Sequence, residues 1–124
     1  MTSKLPDARL PEATDCLNGA LLEAEDALRA MSLGVMASVP LDADRQLVFR
    51  KRGTEFRLCV IRGGDETTVT ELLTTARKTR IDAVRHLPAL RDALLEAYEA
   101  ELARVERAIA DVHAFTNTVR ALTP

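Results

Sequence analysis

The sequence feature that most constrains this fold is the stretch between Pro88 and Pro124. It contains neither glycine nor proline, so no residue in it is a strong helix breaker. Apolar or β-branched residues recur in it at alternating spacings of three and four, as is typical of a heptad repeat: Leu95, Tyr98, Leu102, Val105, Ile109, Val112, Thr116 and Val119. This pattern predicts a helix over residues 88–121, about 51 Å long. Thr116, Asn117 and Thr118 have low helix propensity, and we expect fraying there.

The predicted helix is longer than the domain that would carry it. A compact domain of 124 residues has a radius of gyration of about 13.7 Å and a diameter near 35 Å. If the helix does not break, one copy of the chain cannot cover the apolar residues at its far end. Burial against a second copy or another protein is then expected. The alternative is that the helix breaks and its apolar stripe lies entirely in the core. The stripe is widened on one side by Leu94, Ala108, Phe115 and Leu122.

The N-terminal part of the chain predicts a single helix. Pro11 suits a first helical position, and Gly34 suits the residues after a helix end. Residues 1–10 show little periodicity and are expected to be loose, and residues 11–124 are expected to form one α+β domain. The apolar face of this first helix consists of Leu17, Leu21, Ala24, Leu28 and Met31.

A change to period-two alternation after Gly34 predicts a short antiparallel sheet of three strands. The strands are expected within residues 35–41, 46–51 and 56–62. Pro40 removes a backbone donor, which places the first strand at the edge of the sheet. One face is apolar and the other mixed, as expected for a sheet that is covered on one side.

The turn between the second and third strands sets their register. We expect a two-residue loop at residues 52–53, which pairs Phe49 with Phe56 on the apolar face. On the other face the same register pairs Arg50 with Glu55.

The segment between the sheet and the long helix predicts a second, shorter helix. Residues 67–73 are expected to be a connector that is helical in part. Thr74 or Thr75 can cap a helix that runs to about His86. Its core-facing residues are expected to be Ala76, Ile81 and Val84.

Charge is distributed unevenly along a chain that has 17 basic and 19 acidic residues. Residues 1–44 carry a net charge of −5, residues 45–85 carry +5, and residues 86–124 carry −2. A basic hairpin can contact nucleic acid or another anionic partner. A solvated face balanced by the acidic first helix is the reading we favour, because only 3% of the residues are aromatic. The candidate contacts are Arg50, Lys51, Arg52, Arg57 and Arg62.

No catalytic, cofactor or metal motif is present in the sequence. Cys16 and Cys59 are expected to be reduced and mostly buried, since neither has a nearby cysteine or histidine. An enzyme or small-molecule binder, with a cleft around Cys59, Arg85 and His86, is the third reading we retain.

The leading expectation is a small non-enzymatic interaction protein, located in the cytoplasm and without a membrane span. It would form a homodimer or dock on another protein through the long helix, and would need no cofactor. Nucleic-acid binding by the hairpin is the alternative. The expected interface residues are Leu95, Tyr98, Leu102, Val105, Ile109, Val112, Phe115 and Val119.

Overall fold

A computed structural model describes residues 9–63 and 68–123 of the chain. These residues form an α+β fold, which confirms the predicted class. In chain order the elements are α1 (Arg9–Ala30), β1 (Ala37–Pro40), β2 (Arg45–Arg52), β3 (Glu55–Arg62), β4 (Thr70–Glu71), a 3₁₀ turn (Leu72–Thr74), α2 (Arg77–Val84) and α3 (Leu87–Ala121).

The four strands form one antiparallel sheet in the order β1-β2-β3-β4. β1 lies at an edge, as Pro40 predicted. The connector that the sequence left undecided contains the two-residue strand β4 and then the 3₁₀ turn. The sheet therefore has one short strand more than the three that were expected.

The register between β2 and β3 differs from the predicted one by two residues. Phe49 lies opposite Leu58, and Arg50 lies opposite Arg57. The two-residue loop is at residues 53–54, because Gly53 has a φ of +66°, which suits the first central position of a type II′ turn. A shift of two keeps every side chain on its predicted face. It replaces the expected pair of Arg50 and Glu55 with one between Arg52 and Glu55.

All three helices contribute to a core on one face of the sheet. Leu47 and Phe49 from β2 and Leu58 and Val60 from β3 form its sheet side. The helices supply Leu21 from α1, Ala83 from α2, and Leu90 and Leu94 from α3. A sheet covered on one side is the arrangement that the alternating pattern predicted.

The predicted inner face of α2 is wrong. Ile81 and Val84 are exposed, whereas Thr79 and Ala83 are buried. Thr74 and Thr75 do not cap this helix either, since their hydroxyls donate to carbonyl oxygens of the preceding 3₁₀ turn region. α2 thus turns Ile81 and Val84 outward, while Thr79 and Ala83 face the core.

α1 ends four residues before Gly34, the glycine that was expected to stop it. Its last residue is Ala30, and Ser32 and Gly34 both have positive φ, of 51° and 69°. The predicted loose segment falls mostly on residues 1–8, which lie outside the described residues; Arg9 and Leu10 already belong to α1.

Two side chains of α1 hydrogen-bond to the backbone of β3 along the part of its edge that β4 does not pair with. Glu25, 4% exposed, accepts a 2.7 Å hydrogen bond from the backbone N–H of Leu58. Arg29 donates to the carbonyl oxygen of Phe56 at 3.0 Å and pairs with Glu25 at 3.1 Å. Burial lowers the pKa of Arg29, but its hydrogen bond and charge contact with Glu25 outweigh this and raise it. A helix thus supplies the hydrogen bonds that another strand would otherwise make.

Candidate interaction surface

The long helix α3 has two halves with different surroundings. In its first half Leu90 and Leu94 are buried in the core, and Leu87 packs against that core. From residue 99 to residue 122 every residue is exposed except Thr116, which is half-buried. We call residues 99–122 the distal half; at 1.5 Å per residue it is about 36 Å long. The helix therefore extends beyond the domain, as its length predicted.

The distal half carries a continuous apolar stripe that is open to solvent. Exposed fractions are 37% for Leu102, 47% for Val105, 50% for Ile109, 59% for Val112 and 69% for Phe115. Val119 and Leu122 continue the stripe to the helix end and are also exposed. Most of these residues were the expected interface residues, and an exposed apolar stripe of this length is typical of a protein-binding surface.

The same heptad positions connect the stripe to the core. Leu87 and Leu94 lie seven residues apart in the core, and the row continues at this spacing through Ala108 and Phe115 to the end of α3. Only Glu101 interrupts it. This row, the heptad g row, flanks the exposed stripe and thus continues the core-facing side of the helix, whereas the a and d positions are already exposed at Arg91 and Leu95.

Two expected interface residues lie at the junction between the halves. Tyr98 is half-buried and Leu95 is 41% exposed. Both lie where the helix leaves its domain; Tyr98 is less accessible than the residues that follow, whereas Leu95 is about as exposed as Leu102.

α3 is continuous through the segment where fraying was expected. Helical structure runs to Ala121, and the Thr118 hydroxyl donates to the carbonyl oxygen of Ala114 at 3.0 Å. The side of the helix away from the stripe is rich in alanine, the best helix former. A helix already nucleated in the core continues with little further cost.

The flanks of the stripe have opposite character. If Leu102 and Ile109 are heptad a positions and Val105 and Val112 are d positions, the e row is charged or polar and the g row is mainly apolar. In the distal half the e residues are Glu99, Glu106, His113 and Arg120. The g residues are Glu101, Ala108, Phe115 and Leu122.

The candidate basic residues of the hairpin differ in their surroundings. Lys51 and Arg52 are exposed beside the turn, but Arg57 contacts Glu55 at 3.0 Å and Glu25 at 3.6 Å. Arg62 lies 3.9 Å from an acidic side chain, and Arg50 is half-buried. Nucleic-acid binding by these residues stays a prediction, and ion pairs with acidic residues reduce the charge available for it.

The two cysteines differ in environment. Cys59 is fully buried in β3, and burial raises the pKa of its thiol to about 11. Cys16 is exposed on α1, so the expectation that both are mostly buried is wrong for it. Arg85 follows the last residue of α2 and His86 is the N-cap of α3. Within residues 9–63 and 68–123, no three His, Cys, Asp or Glu side chains are grouped to hold a metal ion.

Native thiol chemistry should distinguish these two cysteines. We expect one fast equivalent per chain with a thiol-specific chromogenic reagent, because Cys59 is buried and its thiol is protonated at neutral pH. A second equivalent should react after denaturation. Cys16→Ser should remove the fast reaction, and two fast equivalents in the native protein would contradict the burial of Cys59.

The described residues thus define an α+β protein from which one helix projects. No protein-family model matches this chain, and comparisons with curated protein sequences and with solved structures find no match either. None of the described helices combines the length and apolar character that a membrane span requires.

Proposed function

We propose that this chain is a non-enzymatic interaction protein that binds a partner chain through the distal half of α3. The observation that carries the proposal is the apolar stripe of that half, exposed along a helix that extends beyond its own core. A partner helix that packs along the stripe would bury the a and d residues in coiled-coil fashion.

Energetics support a partner over a solvated stripe. Fully burying one Val, Leu, Ile or Phe side chain contributes roughly 1.5–3 kcal/mol, and these side chains are already about half covered by their own helix. Leu102, Val105, Ile109, Val112 and Val119 together would therefore contribute several kcal/mol per chain, before the cost of association.

A charge in the middle of the stripe tests this proposal. Val105→Glu should abolish assembly, because the carboxylate would have to be buried between two apolar helices. The measurement is molar mass by light scattering, together with retention of partner chains on the immobilised protein. Circular dichroism should be unchanged, since Val105 makes no contact with the core.

Ala114→Glu is the matched control, because it adds the same charge on the opposite side of the same exposed half of α3. It should leave assembly and partner retention unchanged. If Val105→Glu keeps every assembly that the unmodified chain forms, the stripe is not the binding surface.

A further inference from the structure

We propose that the partner of the distal half of α3 is a second copy of this chain, and that the two distal halves pair antiparallel with Ile109 of each copy opposite Val112 of the other. This inference rests on the proposed function, since it names the occupant of the same surface. It goes further by fixing the orientation and the register.

The length of the exposed segment selects this register. When Ile109 faces Val112 of the second copy, residue 99 faces residue 122, so the overlap coincides with the segment that has left the domain. Each helix end then stops where the other copy's domain begins. An overlap longer by one heptad would bring the helix end against Tyr98 and Leu95, which lie at the junction with the core.

In this arrangement the a and d residues, which form the seam between the two helices, pair with residues of compatible chemistry. In an antiparallel pair an a residue faces a d residue. Leu102 faces Val119 of the second copy, and Ile109 faces Val112, each pair occurring twice. Val105 faces Thr116, the one seam residue with a hydroxyl. The remaining pairs of the seam are aliphatic throughout.

The e residues of the two copies have complementary charges in this register. In antiparallel pairs the e residues of one helix lie beside the e residues of the other. Glu99 then lies beside Arg120 of the second copy, and Glu106 lies beside His113. No pair of like charges meets on this flank, whereas an overlap longer by one heptad would place Glu106 beside Glu106.

The widened flank favours the same orientation. The g residues of antiparallel helices face each other, which brings the large Phe115 beside the small Ala108 of the second copy. In a parallel pair each g residue would instead face an e residue, with Glu101 beside Glu106 and Phe115 beside Arg120. That places like charges together and an aromatic ring against a charged row.

Disulfide trapping tests both orientation and register. Ile109→Cys and Val112→Cys are made as separate chains, both with Cys16→Ser because Cys16 is exposed, and one chain carries a size tag. When the two are mixed and mildly oxidised, the mixed pair should dominate over either self-pair by about tenfold or more. Val105→Cys mixed with Ile109→Cys is the control for the longer overlap and should give little product.

Each trapping result has one meaning. Predominance of self-paired Ile109→Cys and Val112→Cys chains would show a parallel dimer and overturn the inference while leaving the proposed function intact. Predominance of the product between Val105→Cys and Ile109→Cys would overturn the register. If the unmodified chain is monomeric by light scattering, self-association is wrong. If Val105→Glu assembles as the unmodified chain does, the proposed function is wrong.

A charge exchange provides a test without cysteines. Glu99 and Arg120 are about 31 Å apart along one helix, so they can meet only between copies. Glu99→Arg or Arg120→Glu alone should raise the dimer dissociation constant roughly tenfold, because each dimer contains two such pairs. The double variant should return to within about threefold of the unmodified chain. If the two effects instead add, the antiparallel pairing is wrong.

Discussion

Glu25→Ala should lower the free energy of unfolding by about 3–4 kcal/mol, a large part of the stability of a domain of this size. The change leaves the backbone N–H of Leu58 without its acceptor at a buried sheet edge. It also removes the carboxylate that lies 3.1 Å from Arg29 and 3.6 Å from Arg57. Equilibrium denaturation in urea measures the loss.

Two further variants identify what Glu25 contributes. Glu23→Ala removes a carboxylate from an exposed position on the same helix and should change stability by less than about 0.5 kcal/mol. Glu25→Gln keeps an acceptor for Leu58 but removes the charge, so an intermediate loss is expected. If Glu25→Ala is no more destabilising than Glu23→Ala, α1 does not complete the edge of β3.

Leu94→Ala should lower stability by about 2–5 kcal/mol, whereas Leu102→Ala should cost less than about 1 kcal/mol. Leu94 is 1% exposed in the core, and its truncation leaves a cavity. Leu102 is 37% exposed on the distal half and leaves none. Both variants are compared in the Val105→Glu background, so that assembly does not contribute to the measured stability.

This pair of variants tests the division of α3 directly, since it makes the same chemical change eight residues apart on one helix. Equal losses for Leu94→Ala and Leu102→Ala would mean that the distal half packs against its own domain. A large loss for Leu94 alone would support the description of α3 as an anchored helix with a free, apolar extension.

The long helix was predictable because its information is local. The heptad period and the absence of glycine and proline from residues 89–121 predicted both the bounds of the helix and its exposed stripe, and the structure places the helix over Leu87–Ala121. The strand faces were predictable for the same reason, since alternation assigns Leu47 and Phe49 to one side whatever their partners.

The hairpin register was less predictable because a loop at residues 52–53 and a loop at residues 53–54 place every side chain on the same face of the sheet. Only the backbone conformation of Gly53 distinguishes a loop at residues 53–54 from one at residues 52–53. The sequence pattern allowed both, and the structure takes the loop in which glycine occupies the position with positive φ.

The sequence by itself determined the class of fold, the faces of the strands and the length of α3, because helix and strand periods are properties of neighbouring residues. The tertiary structure alone decided which side of α2 faces the core and that Glu25 and Arg29 complete an open strand edge. Both depend on how distant elements approach each other. A buried carboxylate on a helix has no distinctive spacing in sequence, and it acquires its role only when the N–H of Leu58 lies beside it.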